Sequence, residues 1–429
     1  MTLPIEPPIQ AFPPDPIHNV PRDRCIPLRT EDVTRLVLDD PAWNDLERSR
    51  LAEVARLLAA AFHHESLARK TELKLLYARL DPDSEICASP LDLPKTLDSL
   101  ADDRFLEAFE RALVRGNYSP LELDVVEQAV KAPNEQGLNY VPNFQMFEQL
   151  RVHVRGRAKI ARVVRNIKTK MRKQTIYFDG FRRVIVTLKF RDGVRGLGDY
   201  ASSDFLYMRM FKDVPFCDME MHLPEQGSKV RMRWLDKAQI ASPIAVGLPT
   251  FAAKILGMTG ATGLLGLFAL PYTAVAALMV MPISAGVNSF FGFQRAKQKH
   301  LHKVIRSLYY LTVANNSGVI SHLIDSVEEE EFKEALLAFS ILSRGRDDPT
   351  PWTARRLDLE IERIVQDATR LDLDFEIDDA LSKLLRLDLI RRKPSGAFVP
   401  VSLDDASNIL RRRWAALVEP IAGTEPIPH

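Results

Sequence analysis

Cysteine is scarce in this chain. Its 429 residues contain only Cys25, Cys87 and Cys217, which lie far apart and match no metal-ligand spacing. An odd, sparse set excludes a disulfide framework and fits a reducing compartment. The first residues lack a basic stretch followed by an apolar core, so no secretory signal is expected. Glu6, Asp15 and Asp23 interrupt any acid-poor transit peptide. The catalytic motifs HExxH, GxSxG, the Walker loop, paired CxxC and a GxGxxG after a strand are all missing. This reading leans away from an enzyme and assigns no catalytic, cofactor-binding or metal residue. The adjacent pair His63 and His64 points to different helix faces and has no second cluster at ligand spacing, so it reads as a surface pair.

With 46% hydrophobic and 27% charged residues, the chain is not a disordered or low-complexity protein. A net charge of +1 hides a segregation: residues 1–150 are acidic, 151–306 strongly basic and 307–429 acidic again. Eight prolines between Pro4 and Pro27 predict an extended arm over residues 1–27.

Charge is absent altogether from Ile255–Gln294. A helical span needs about 20 apolar residues, so this run predicts two spans near 251–269 and 271–291 within a hairpin region 238–294. Gly257, Gly260, Gly263 and Gly266 recur every three residues and are candidates for close hairpin packing. Basic flanks on both sides predict a multi-pass protein of the bacterial inner (cytoplasmic) membrane with both termini cytoplasmic.

Elsewhere the pattern predicts helices over 28–150, a small basic α+β region over 151–237, a post-membrane helix over 295–324, a winged-helix-like unit over 325–418 and a tail over 419–429. The expected fold class is therefore an α+β membrane protein with a helical N-terminal region, a β-rich middle, a two-span hairpin and a C-terminal winged helix. "TIYFDGFRRVIVTLKF" reads as two β-rich runs turning at Asp179-Gly180. The run "VEEEEFKEALLAFSIL" reads as a helix with an acidic first turn.

From Arg151 to Lys173 there are ten basic residues and no acid: Arg151, Arg155, Arg157, Lys159, Arg162, Arg165, Lys168, Lys170, Arg172 and Lys173. Such a stripe attracts the phosphates of nucleic acid or of lipid. Its place just before the expected membrane hairpin favours anionic lipid headgroups as the partner, with nucleic acid disfavoured. In the C-terminal unit, "FEIDDALSKLLRLDLI" and "RRKPSGAFVPV" give the helix and β-wing of a winged helix. Residues 325–418 carry 15 basic and 20 acidic side chains, which suits a protein partner better than DNA.

The segments "IPLRTEDVTRLVLDD", "AAFHHESLARKTELKLLYARLDPD", "YFDGFRRVIVTLKF" and "LYMRMFKDVPFCDMEMHLPEQGSKVRMR" occur in that order, followed by the "FEIDDALSKLLRLDLI" tail. In this the chain resembles the transmembrane protein 143 family, a domain of unknown function in bacteria, plants and animal mitochondria. The resemblance implies two transmembrane helices and carries over no reaction and no catalytic residues. The function expected is a membrane-tethered scaffold or interaction module. The alternatives are a membrane-bound winged-helix transcriptional regulator or an enzyme without a recognisable motif.

Overall fold

The computed structural model describes residues 24–84, 96–126, 138–141, 144–165, 173–194, 201–216, 229–232, 298, 308–346, 348–371 and 373–418. In chain order the helices are α1 Thr30–Leu38, α2 Asp45–Tyr77, α3 Thr96–Arg115, α4 Ser317–Arg344, α5 Ala354–Thr369, α6 Ile377–Arg386 and α7 Leu403–Val418. The strands are β1 Ser119–Leu121, β2 Leu138–Val141, β3 Phe147–Arg165, β4 Lys173–Phe190, β5 Leu206–Pro215, β6 Lys229–Met232, β7 Thr312–Asn315, β8 Ile390–Arg392 and β9 Phe398–Pro400.

Helix α2 starts at a reciprocal cap. The Asn44 side chain accepts from the Glu47 N–H at 2.9 Å, and the Glu47 carboxylate accepts from the Asn44 N–H at 3.1 Å. Its buried positions Leu51, Val54, Leu58 and Phe62 recur at helical spacing and face the core. The N-terminal half of α2 packs with the C-terminal half of α4, and the C-terminal half of α2 with the N-terminal half of α4. The two longest helices therefore run antiparallel as a spine shared by two cores. One core adds α1 and the units from α5 to α7, the other α3 and one face of a sheet.

That sheet is antiparallel with strand order β1-β3-β4-β5-β7. Ile185, Met208 and Met210 face α3 and the spine, while Val152, Val154, Val184 and Val186 fill the opposite face. The period-two alternation of strands sorts these residues. β2 pairs with β6, and β8 with β9, as separate two-stranded ladders. Helix α5, helix α6, the β8–β9 hairpin and helix α7 follow one another in the order of a winged helix. Ser402 caps α7, its Oγ accepting from the Asp405 N–H at 3.1 Å.

Several expectations are corrected. The transmembrane hairpin over 238–294, with Gly257, Gly260, Gly263 and Gly266, lies outside the described residues. Among the described residues no helix is long and apolar enough to cross a membrane. Length is not what they lack, since α2 has 33 residues and α4 has 28. Charges recur along both, and these helices bury their apolar stripes against each other. The described architecture is α+β on a five-stranded antiparallel sheet, and the membrane fold class is replaced by it. The multi-pass inner-membrane placement rested on that hairpin and is withdrawn with it.

Asp179-Gly180 is not a turn. Both residues lie inside β4, opposite Lys159 and Ala158 of β3. Gly180 is required there because β5 passes so close that a Cβ would overlap the Val214 carbonyl and the Pro215 Cα. Thr312–Asn315, expected as helix, forms β7 against β5. The acidic run after Val327 is not a first turn but the middle of α4.

Candidate functional site

Charged side chains are seldom buried unless paired. Such charges gather within little more than one turn of α4, where Glu330, Glu331, Lys333 and Glu334 are all at most 2% exposed. Two of them, Glu330 and Lys333, hold the extended segment that precedes α1. Glu330 Oε2 accepts from the Ile26 N–H at 3.1 Å, and Lys333 Nζ donates to the Ile26 and Leu28 carbonyls at 3.1 and 3.2 Å. Lys333 spends its third proton on Glu330 Oε1 at 2.5 Å.

The other partners come from four more elements. Arg155 of β3 donates from Nη2 to Glu330 Oε1 at 3.1 Å, from Nη1 to the Gly116 carbonyl at 3.1 Å and from Nε to the Cys25 sulfur at 3.1 Å. Its guanidinium sits 5.5 Å from the Tyr118 ring centroid. The Cys25 thiol lies 3.4 Å from Glu330 Oε1. Glu331 receives Arg69 of α2 at 2.8 Å and Arg115 of α3 at 3.5 Å. Glu334 receives Asn117 at 3.0 Å and Lys383 of α6 at 2.8 Å.

Electrostatics follow from this packing. Burial pushes Glu334 up to about 7, against the pull of Lys383 and Asn117. Burial works to lower Lys383, but Glu334, Glu331 and Asp379 outweigh it and leave the ammonium raised. For Arg155 burial is likewise overcome, by Cys25, Glu330 and Tyr118, and the guanidinium stays charged. Both oxygens of Glu330, Glu331 and Glu334 accept hydrogen bonds or ion pairs, so this centre holds elements together and has little capacity left for a substrate.

Two surface grooves lie elsewhere. One, of about 640 Å³, has Trp43, Leu337 and Ile341 in its wall between α1 and α4. The other, of about 780 Å³, contains Trp352 with the Arg356 guanidinium stacked 3.9 Å from its ring centroid. They adjoin at Arg344, which reaches Asp40 at 2.5 Å and Glu360 at 3.2 Å. None of the buried ionic residues lines either groove. Among the described residues no group of three or more His, Cys, Asp and Glu side chains is arranged to hold a metal. His63 meets Glu328 at 3.0 Å, and His64 packs edge-on to Trp414.

Four of the ten residues expected to touch lipid headgroups have described side chains. Arg151 is turned to α3, donating to Glu110 at 2.6 Å beside His153, whose Nε2 lies 3.1 Å from the same carboxylate. Arg155 is held in the ionic centre, its side chain 11% exposed. Arg157 is half-buried and Lys159 exposed, further along β3. Arg162 and Arg165 stand at register positions opposite Ile176 and Lys173, while Lys168, Lys170 and Arg172 lie outside the described residues. Arg151, Arg155, Arg157 and Lys159 are two or four residues apart on β3, so alternation sends them to one face, where Arg151 and Arg155 are taken up by internal partners.

Residues 181–318 match a family described as "Protein of unknown function (DUF3754)". The chain carries a DUF3754 domain. Within that span lie most of β4, all of β5, β6 and β7, and the first residues of α4. The DUF3754 domain therefore does not close its own sheet: β4 pairs on its other edge with β3, which precedes the matched residues. Glu330, Glu331, Lys333, Glu334, Lys383 and Arg155 also fall outside it. No solved structure matches the chain.

Proposed function

We propose that the chain is a non-catalytic interaction scaffold, in which an ionically locked body presents surfaces to a macromolecular partner. The observation that carries this reading is the separation just described. Glu330, Glu331, Lys333 and Glu334 are taken up in internal pairing, while the open grooves at Arg344 combine aromatic and aliphatic side chains with charged ones such as Asp32, Arg35 and Arg355. The reading makes no use of a membrane span.

The regulator alternative is weakened by the direction in which α6 faces. As the helix that would read DNA, it should present a basic surface outward. Instead Lys383 is buried against Glu334 and Asp379, Arg386 makes a two-pronged contact to Glu65 of α2 at 2.6 and 2.9 Å, and Glu376 meets Arg24. For the finer family reading we retain the transmembrane protein 143 family, because its most specific stretch, "FKDVPFCDMEMHLP", falls inside the DUF3754 span.

A photo-crosslinking residue at Leu359, which is 57% exposed in the second groove, tests the scaffold reading in cells. The expected result is one discrete crosslinked macromolecule, lost when Trp352 is replaced by alanine. Turnover of a small molecule by the purified protein, abolished by Glu330→Gln in a variant that still melts cooperatively, would overturn it.

A further inference from the structure

Cys25 sits where the segment before α1 meets the ionic centre. Its sulfur accepts from Arg155 Nε at 3.1 Å and lies 3.4 Å from Glu330 Oε1. The residue is partly exposed, although Ile26 beside it is buried. Glu330 does not set the sign of the field at the sulfur. Its carboxylate is already engaged by Lys333 at 2.5 Å and by Arg155 Nη2 at 3.1 Å. Two cations against one carboxylate leave the surroundings of the thiol electropositive, and such surroundings favour the thiolate, which is the nucleophilic form.

Tyr118 supplies a donor that the reduced thiol does not use. It is 4% exposed, and its hydroxyl has no hydrogen-bond partner among the described residues. Tyr118 immediately precedes β1, whose pairing Ser119↔Val154 brings it beside Arg155 of β3, and the guanidinium lies 5.5 Å from its ring centroid. Burial pushes the hydroxyl up, Arg155 and Arg183 pull it down, and Cys25 and Glu330 add to the rise, so thiol and hydroxyl share one electrostatic neighbourhood. Buried hydroxyls are nearly always bonded, and one that is not calls for an explanation.

We propose that Cys25 is a modification site for small hydroperoxides, which oxidise it to a sulfenic acid whose oxygen accepts from the Tyr118 hydroxyl. The sulfur attacks the outer peroxide oxygen. An S–O bond forms and the O–O bond breaks, the sulfur gives up two electrons, and the peroxide is reduced to water or an alcohol. Glu330 Oε1 is placed to take the thiol proton and pass it to the departing oxygen, while Arg155 Nε holds the sulfur in its anionic form. Partial exposure of the residue gives a small peroxide access to the sulfur. The product is the first and reversible rung of cysteine oxidation, restored by a thiol. One peroxide is consumed per chain, and the step is independent of the scaffold reading.

The test exposes the reduced full-length protein to hydrogen peroxide with dimedone present as a trap for sulfenic acid. Peptide mass spectrometry then follows the remaining thiol and the dimedone adduct at Cys25, Cys87 and Cys217. Cys25 should carry the adduct, and its thiol should disappear about tenfold faster than in the same protein unfolded in urea. Tyr118→Phe removes only the unpartnered hydroxyl, so it should leave the melting temperature unchanged or raised and slow Cys25 oxidation about fivefold. A hydroxyl that served packing alone would not move that rate. Equal or slower loss of the Cys25 thiol in the folded than in the unfolded protein, oxidation confined to Cys87 and Cys217, or a wild-type rate in folded Tyr118→Phe would each overturn the proposal. Should that variant not fold, the comparison of folded and unfolded wild type decides on its own.

Discussion

Arg155 and Glu330 meet at 3.1 Å inside the protein, one from a strand and the other from the middle of a helix 175 residues later. The contact joins the sheet to the helical spine, and the same carboxylate also holds the segment at Ile26. A buried pair of this kind need not add net stability, because desolvation offsets much of the attraction. Its removal from one side only is another matter, and that asymmetry gives the first prediction.

Replacing Lys383 by methionine leaves Glu334 buried with Asn117 as its remaining donor, and should cost about 3–5 kcal/mol. The double replacement Lys383→Met, Glu334→Leu should recover most of that loss. Urea unfolding of the two single variants and the double variant closes the cycle, and a coupling energy near zero would show that the pair does not act as a unit.

Asp358 is pushed up to about 6 by burial and by the nearby carboxylates Glu362, Asp374 and Asp378. A raised acid binds its proton more tightly when folded, so stability is highest below the unfolded value near 4 and falls as pH rises to about 6. Asp358→Asn should therefore leave stability unchanged at pH 3.5 and raise it at pH 7.5. The group is partly solvated, so the gain is discounted for screening to about 1 kcal/mol. Melting temperatures at the two pH values decide the matter.

Glu110 has the opposite sign. The His153 hydrogen bond and the Arg151 contact, against some burial, hold it down to about 2. Its contribution is present above pH 4.5 and is lost as pH falls towards 2. Glu110→Gln should destabilise by about 1 kcal/mol at pH 7, again discounted for its partial exposure, and by nothing at pH 2. Denaturant midpoints across that range measure it.

Gly180→Ala should be among the most damaging small substitutions. The added methyl meets the Ile160 Cδ1 at 2.6 Å and the Pro215 Cα at 2.8 Å, and overlaps the Val214 carbonyl. Backbone on one side leaves little room to yield, so about 2–3 kcal/mol of destabilisation is expected. Thermal unfolding beside Gly193→Ala, where open space surrounds the position but φ is +73, separates steric overlap from backbone strain.

The helices were legible in the sequence wherever one apolar stripe faced one core: Leu51 to Phe62 in α2, and Phe105, Phe109 and Leu113 in α3. The ionic centre was not, although its signal is present. Leu323, Val327, Glu330, Glu334 and Ala338 recur at three- and four-residue spacing, so the apolar stripe of α4 passes straight through two carboxylates. Read by composition, four consecutive glutamates suggest a solvated turn. Of that run Glu330 and Glu331 are buried, as is Glu334, and apart from Lys333 the cations that pair with them lie 49 to 262 residues away, where local pattern carries no information. The same limit explains Asp179-Gly180, where a turn-forming pair serves instead to let β5 approach.

The grip of Lys333 on the Ile26 carbonyl has a consequence for the order of events during synthesis. The two residues are 307 apart, which at about 5–20 residues per second separates their emergence from the ribosome by roughly 15–60 s. Through that interval the first helices have their inward faces uncovered, since α4 supplies the opposing surface of both cores. The nascent N-terminal half thus waits for its own latch, and a chain released before residue 333 has no means of closing it.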